Sequence, residues 1–242
     1  MNIFILECNE YQQFSGRPRY ILPLPWNDKP LDVTSYDCSN VVQLIPAGVY
    51  DILKDNGHEV AIEGFLKHPK HRFTKVYHDI ALVKLKYRVY FTSNIRPACL
   101  WDTDKRNTSM YIATGFGKNE TLGKLSTQMM KVVLEEFPEE DCVKRFNLKS
   151  RFGRGITDGL LCVGSNTTVR DTCLGDSAGP LQTVTDPSTC TYHVIGVVST
   201  GLKGCGIGKA RAVYTMVSYY LDWIEENVWG PKANSMETYE KI

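Results

Sequence analysis

Ten consecutive residues, Asp171-Thr-Cys-Leu-Gly-Asp-Ser-Ala-Gly-Pro180, put a serine behind a glycine and an aspartate, with a cysteine four residues upstream and a carboxylate six residues upstream. Serine is the hydroxyl nucleophile of acyl transfer, and its attack on a carbonyl leaves an oxyanion that needs backbone N–H donors aimed at it. Gly175 and Ser177 can supply two such donors from the turn itself. A serine is a poor nucleophile until a base takes its proton, so the pattern sets a search for a histidine and for an acid to orient it. The five histidines are His58, His68, His71, His78 and His193. His78 adjoins Asp79, and along an extended segment two adjacent side chains point opposite ways.

Other segments carry further chemistry-bearing residues at matching intervals. Downstream stand Ile195-Gly-Val-Val-Ser-Thr-Gly201, Cys205 and Ala212-Val-Tyr-Thr215; upstream stands Tyr77-His-Asp-Ile-Ala-Leu-Val-Lys-Leu85. Ile95-Arg-Pro-Ala-Cys-Leu100, Ala113-Thr-Gly-Phe-Gly117, Asp141-Cys142, Leu161-Cys162 and Tyr220-Leu-Asp-Trp-Ile-Glu225 complete the set. Together with the Ser177 loop, these words resemble the trypsin-like serine proteases, and especially the arthropod members that carry a small N-terminal clip domain. The resemblance implies an all-β fold, a chymotrypsin-like double antiparallel β-barrel, here with the first barrel incomplete, plus a C-terminal helix. It also implies serine endopeptidase chemistry with no cofactor and no metal, and a protein or peptide as substrate or binding partner. By position, Ser177 would be the nucleophile, Asp79 the acid that orients the base, and Gly175 and Ser177 the oxyanion donors. Asp171 would be the carboxylate that selects Lys or Arg, with Ser199 and Gly201 on the substrate-binding wall. Two disulfides are implied, Cys142 with Cys162 and Cys173 with Cys205. The pairing of Cys8, Cys38, Cys99 and Cys190 stays open, with Cys8 a candidate partner for Cys99.

The chain departs from that pattern at several points. An active member carries its histidine within Thr-Ala-Ala-His-Cys, and the nearest counterpart here is Thr34-Ser-Tyr-Asp-Cys38, which puts Asp37 in the histidine's place. The family is also cut before an Ile-Val-Gly-Gly-like start whose new amino group pairs with the aspartate next to the serine; Asp176 is present, but Arg19-Tyr-Ile-Leu22 lacks the glycines. Ala178 replaces a glycine after the nucleophile, Thr200 an aromatic on the substrate-pairing segment, and Ala212 a glycine that leaves room in the pocket. Three readings follow from the residues. The chain is a trypsin-like endopeptidase by ancestry with lost or strongly impaired turnover, a non-catalytic homologue that binds proteins as cofactor or decoy, or the truncated product of an active protease's gene.

The elements that must position these residues follow from the apolar patterning. Short apolar or alternating runs recur at Val60 to Leu66, Ile80 to Leu85, Met110 to Ala113, Met129 to Leu134, Leu160 to Val163, Val194 to Val198 and Ala212 to Val217. Gly, Pro, Asn and Asp punctuate them, as in an antiparallel sandwich or barrel. Helices are expected from Pro138 to Arg145, which opens on Pro and acids, and from Ser218 to Val228, where Leu221, Ile224 and Val228 recur at helical spacing. Residues 1–33 read as a leader or linker, 34–230 as the partial protease-like domain, and 231–242 as a mobile tail. An incomplete first barrel would leave strand edges open to association.

With 28 basic and 27 acidic residues, the formal charge is +1, which gives no general reason to expect nucleic acid or an anionic membrane as partner. No apolar run is long enough to span a bilayer. Eight cysteines and the sequons at Asn107, Asn119 and Asn166 point to an extracellular location, although Met1-Asn-Ile-Phe-Ile-Leu6 is too short for a signal peptide.

Overall fold

The computed structural model describes residues 44–47, 50–55, 58–90, 98–103, 105–106, 109–118, 123–146, 151–166, 172–173, 175–186, 191–201, 211–230 and 240–241. The expected leader at 1–33 lies outside them, as do Cys8, Asp37, Cys38, Asn107, Asn119, Asp171, Cys190 and Cys205.

The C-terminal half closes into a six-stranded antiparallel barrel. Strands β5 (Met110–Gly115), β6 (Met130–Glu136), β7 (Leu160–Gly164), β8 (Pro180–Asp186), β9 (Thr191–Gly201) and β10 (Arg211–Met216) pair in the ring order β10, β7, β6, β5, β8, β9, and β9 returns to β10. Alternation along β5 drives this closure: Tyr111 and Ala113 point inward, opposite Leu134 and Val132 of β6, and join a core with Leu161, Leu181, Ile195 and Tyr214. A short parallel strand, β4 (Cys99–Leu100), extends the sheet beside His193 and Val194.

β7 and β10 are buried along their whole length rather than alternately. Their outer faces are covered by helix α1 (Glu139–Phe146) and by the loop ahead of Asp79, so that Leu160, Cys162 and Val213 pack with Val76, Tyr77, Cys142, Phe152 and Ile156. The first turn of α1 carries Glu139, Glu140 and Asp141, which favour the positive end of the helix dipole. The Cys142–Cys162 disulfide then ties α1 to β7, and Cys99 and Cys173 are disulfide-bonded as well.

The N-terminal half forms an open four-stranded sheet among the described residues. Its centre is β2 (His58–Lys67), which pairs with β1 (Leu44–Ala47) along its first half and with β3 (Ala81–Leu85) along its second. Two C-terminal residues, β11 (Glu240–Lys241), pair with Phe65 and Gly64. The halves meet over a 3-10 turn (Ser218–Tyr220) that leads into helix α2 (Leu221–Val228), where Leu82 of β3 packs against Val217, Tyr220, Ile224 and Val228. Strand β8 carried no expectation of its own, because Pro180 and Asp186 bound it and read as turn residues.

The disulfide prediction follows from this packing. Cys142 and Cys162 are 20 residues apart. Replacing both by alanine is expected to lower unfolding stability by about 3 kcal/mol, the loop-entropy value for a ring of that order. The readout is a lower urea midpoint at unchanged slope, and an unchanged midpoint would show that the packing of α1 alone holds this face.

Candidate active site

Asp79 lies two residues before β3, where the first half meets the barrel, and the second barrel holds it at two points. The hydroxyl of Ser199 on β9 donates to the Asp79 carboxylate (Oγ to Oδ2, 2.6 Å). The hydroxyl of Thr215 on β10, fully buried, donates to the Asp79 backbone carbonyl at 2.8 Å. A carboxylate accepting from a hydroxyl at that distance makes a strong, charge-assisted hydrogen bond. Sequence patterning gave Thr215 no role, since a threonine in a fully buried strand reads as core until its tertiary partner is known.

The histidine next to it turns elsewhere. His78 has φ +57°, left-handed backbone that an L-residue adopts at a cost, so strand alternation is not what separates it from Asp79. Its ring stacks on His68 with centroids 4.8 Å apart and planes 9° from parallel, and its Nδ1 lies 3.1 Å from the Tyr220 hydroxyl. Tyr220 and Trp223 close around His68. Burial is the main reason both imidazoles resist protonation; in His68 the neighbouring His78, Lys70 and His71 add to it, pushing the group down to about 4. In His78 the additional opposition comes from Lys70, Arg154 and His71. Among the described residues, no hydrogen bond or ion pair joins His71 or His193 to Asp79. His58 opens β2 opposite Ala47, and His193 shares a hydrogen bond with Thr185 and sets its ring edge on Trp101. His71 donates its backbone N–H to the His68 carbonyl.

Ser177 is exposed at the tip of a tight turn between Cys173 and β8. The turn is built by backbone bonds from Asp176 N–H to Cys173 and from Gly179 N–H to Asp176, and Ala178 N–H reaches across to Val198 of β9. Among the described residues, no backbone carbonyl takes the N–H of Gly175 or of Ser177. Gly175 has φ +102°, and a Cβ there would meet Leu125 at 2.6 Å and the Gly117 backbone at 3.0 Å, so both conformation and space require glycine. Ala178 has φ +64° and carries a methyl group in the same kind of backbone.

The Asp176 carboxylate points back under the turn, where it accepts from Gly117 N–H at 2.8 Å and Cys173 N–H at 2.9 Å. Gly115 and Gly117 make room for it: a Cβ on either would lie within 2.4 Å of a carboxylate oxygen. Burial raises its affinity for a proton, and the two backbone donors oppose that. A cavity of about 190 Å³ opens beside it, lined by Thr114, Gly117, Lys118, Met130 and Thr172 among others. Gly201 is exposed at the end of β9, opposite Ala212 of β10, whose methyl group packs into the barrel core. Asn166 lies exposed just past β7, with its Oδ1 accepting from Arg211 at 2.7 Å. The structure thus brings Asp79 and Ser199 together, sets Gly175 and Ser177 in one turn, and places Asp176 beneath it.

Residues 33–224 match the Trypsin family, and the chain belongs to that family. It is 41% identical to serine protease snk of Drosophila melanogaster over 159 residues, covering 66% of this chain and 36% of that protein. It is 31% identical to CLIP domain-containing serine protease C9 of Anopheles gambiae, over 72% of this chain and 51% of that protein. It is also 31% identical to phenoloxidase-activating factor 1 of Holotrichia diomphalia, over 84% of this chain and 52% of that protein. The chain therefore spans from about a third to about half the length of these relatives. Among solved structures, neuropsin, a serine protease of mouse brain, superposes with a TM-score of 0.65 at 22% identity, over 76% of this chain and 78% of that one, which places the fold as chymotrypsin-like.

Two predictions follow. Ala178→Gly is expected to stabilise the fold by up to about 1 kcal/mol, because relief of left-handed strain outweighs the extra entropy of an unfolded glycine; a lower thermal midpoint would contradict it. His68 gains its proton near pH 6.5 when unfolded and only near 4 when folded, so between those values the unfolded chain binds more protons. The His68 contribution to stability should fall as pH drops from about 6.5 to about 4 and level off below, and His68→Phe should flatten that part of the curve.

Proposed function

We propose that this chain is a trypsin-type serine peptidase homologue that presents an Arg- or Lys-selective peptide cleft but turns peptide bonds over extremely slowly. The observation that carries the reading is the fate of the histidines around an otherwise anchored acid. Asp79 is held by Ser199 and Thr215, yet its neighbour His78 is committed to His68 and Tyr220. Asp37, the counterpart of the histidine position, offers a second carboxylate, which would repel Asp79 or share a proton with it rather than relay one from serine. Loss of the histidine from such a triad costs on the order of 10⁶ in turnover in subtilisin.

The remaining parts take the roles their positions suggest. Ser177 is the exposed hydroxyl, Gly175 and Ser177 supply the oxyanion donors, and Ser199 and Gly201 lie along the strand that a peptide would pair with. Asp171 provides the carboxylate for a basic side chain through charge-assisted hydrogen bonds. Asp176, whose burial disfavours its charge, is suited to a newly formed ammonium group in the adjoining cavity. A disulfide-rich chain with sequons at Asn107, Asn119 and Asn166 fits an extracellular, glycosylated protein, with Cys205 as partner of Cys173. Its partners are proteins or peptides. The second reading, a binding homologue acting as cofactor or decoy, is favoured by a cleft that keeps its acid, its turn and its barrel while its histidines are engaged elsewhere.

The test combines turnover and labelling. Purified protein is expected to cleave Arg and Lys peptide substrates no faster than its Ser177→Ala variant, with at most slow fluorophosphonate labelling of Ser177. Turnover that Ser177→Ala abolishes, together with rapid labelling of the parent, would overturn the proposal.

A further inference from the structure

The segment from the end of β2 into the following loop reads Lys67-His-Pro-Lys-His-Arg-Phe-Thr-Lys75, with four lysine or arginine residues, two histidines and no acid. In a chain whose formal charge is +1, this is a local concentration of one sign. The loop is fixed by its own backbone: Lys70 N–H donates to His68 Nδ1, His71 N–H to the His68 carbonyl, and Lys75 N–H to the Arg72 carbonyl. Lys70, Arg72 and Phe73 are exposed, and the Phe73 ring keeps 51% of its surface in solvent. From the neighbouring segment, the Arg154 guanidinium lies 4.3 Å from the centroid of the Tyr77 ring. Among the described residues, no carboxylate forms an ion pair with Lys70, Arg72 or Arg154.

The histidine pair beneath, His68 buried and His78 half-buried, feels the resulting field in addition to its burial. The groups facing it are Lys70 and His71 on the same loop, Arg154, the tyrosines Tyr219 and Tyr220, and Asp79, next in the chain to His78. The charges that act on the two imidazoles are cationic, and each works against their protonation.

We propose that the 67–75 loop and Arg154 form a docking surface for a sulfated polysaccharide. Lys70, Arg72 and Arg154 meet sulfate groups without first breaking an ion pair among the described residues, on a loop that is already folded, and the solvent-exposed half of the Phe73 ring adds apolar surface for a sugar. The disulfides at Cys142–Cys162, Cys99 and Cys173 fit an oxidising compartment, where sulfated polysaccharides rather than nucleic acids are the abundant linear polyanions. Anchored sulfates would oppose the field of Lys70 and Arg154, so the imidazoles of His68 and His78 would protonate more readily in the complex. This surface does not depend on the catalytic competence of Ser177.

The experiment passes the full chain over immobilised heparin at pH 7.4 in a salt gradient. Retention beyond about 150 mM salt is expected, and Lys70→Glu with Arg72→Glu should lower the slope of log K against log salt by roughly 2, about one for each lost contact. The control, Lys105→Glu with Lys124→Glu, changes two exposed lysines outside the loop, has the same net charge as the site variant, and should shift elution little. Lys70→Gln with Arg72→Gln is expected to lose about half as much retention, which keeps the test open if charge reversal disturbs folding. In histidine NMR titrations, saturating heparin should move the midpoints of His68 and His78 upward. Passage of the parent protein at physiological salt, equal losses in the site and control variants, or equally effective release by polyglutamate or DNA at matched charge would each overturn the proposal.

Discussion

The grip of the second barrel on Asp79 is the constraint on which the rest of the site depends. Ser199 on β9 holds the carboxylate and Thr215 on β10 holds the backbone carbonyl of the same residue, so adjacent strands fix both the position and the direction of one acid. Asp79 belongs to the chain of the first half, and these two hydroxyls set how that half meets the barrel. Val76 and Tyr77, just upstream, drop into the apolar cluster outside β7 and β10, while Leu82, just downstream, packs on α2. Burying apolar side chains on both sides of the acid stabilises the joint without specifying its direction; the two hydrogen bonds supply the direction.

This anchoring explains the backbone of His78. Asp79 faces the barrel, Val76 and Tyr77 are already buried, and the chain must reverse between them within a single residue. A left-handed His78 accomplishes the reversal, and its imidazole is carried onto His68 and under Tyr220. Burial first, and the surrounding cations after it, oppose a proton on either of the two stacked imidazoles. The cationic surface of the 67–75 loop thus adds to what burial already does to the pair below it.

The barrel was legible in the sequence where a period of two survives, as in Met110 to Gly115, and both helices were legible from their acidic or apolar spacing. β7 and β10 are buried on both faces, so their runs named a strand but not what covers it. β8 escaped notice because its bounding residues are turn formers, and β1 because Pro46 interrupts a four-residue run. At the site, the Ser177 turn and Asp79 stand out because their residue types are chemically unusual in their settings. Thr215 and the hydrogen bond from Ser199 do not, since a hydroxyl in a strand acquires its meaning only from a partner 136 or 120 residues away. The left-handed state of His78 was equally hidden, because histidine carries no local signal for it as glycine does.

The described parts of the candidate site divide along the architecture. Among the described residues, the Ser177 turn is braced within the second barrel, by Val198, by Gly117 and by its own backbone, and Asp176 sits in a space that two glycines of the same barrel leave for it. Asp79 leans on that barrel too. The described strands of the first half share no hydrogen-bonded sheet with the barrel. The turn, left-handed Ala178 included, is held by bonds within the barrel rather than by those strands. If the base is absent, as proposed, barrel closure and the anchoring of Asp79 are untouched, because Ser199 and Thr215, which hold the acid, both lie on the barrel. Under the proposed function, the scaffold keeps its Ser177 turn and its anchored acid while lacking proton transfer, which is the physical condition for it to serve as a binding protein.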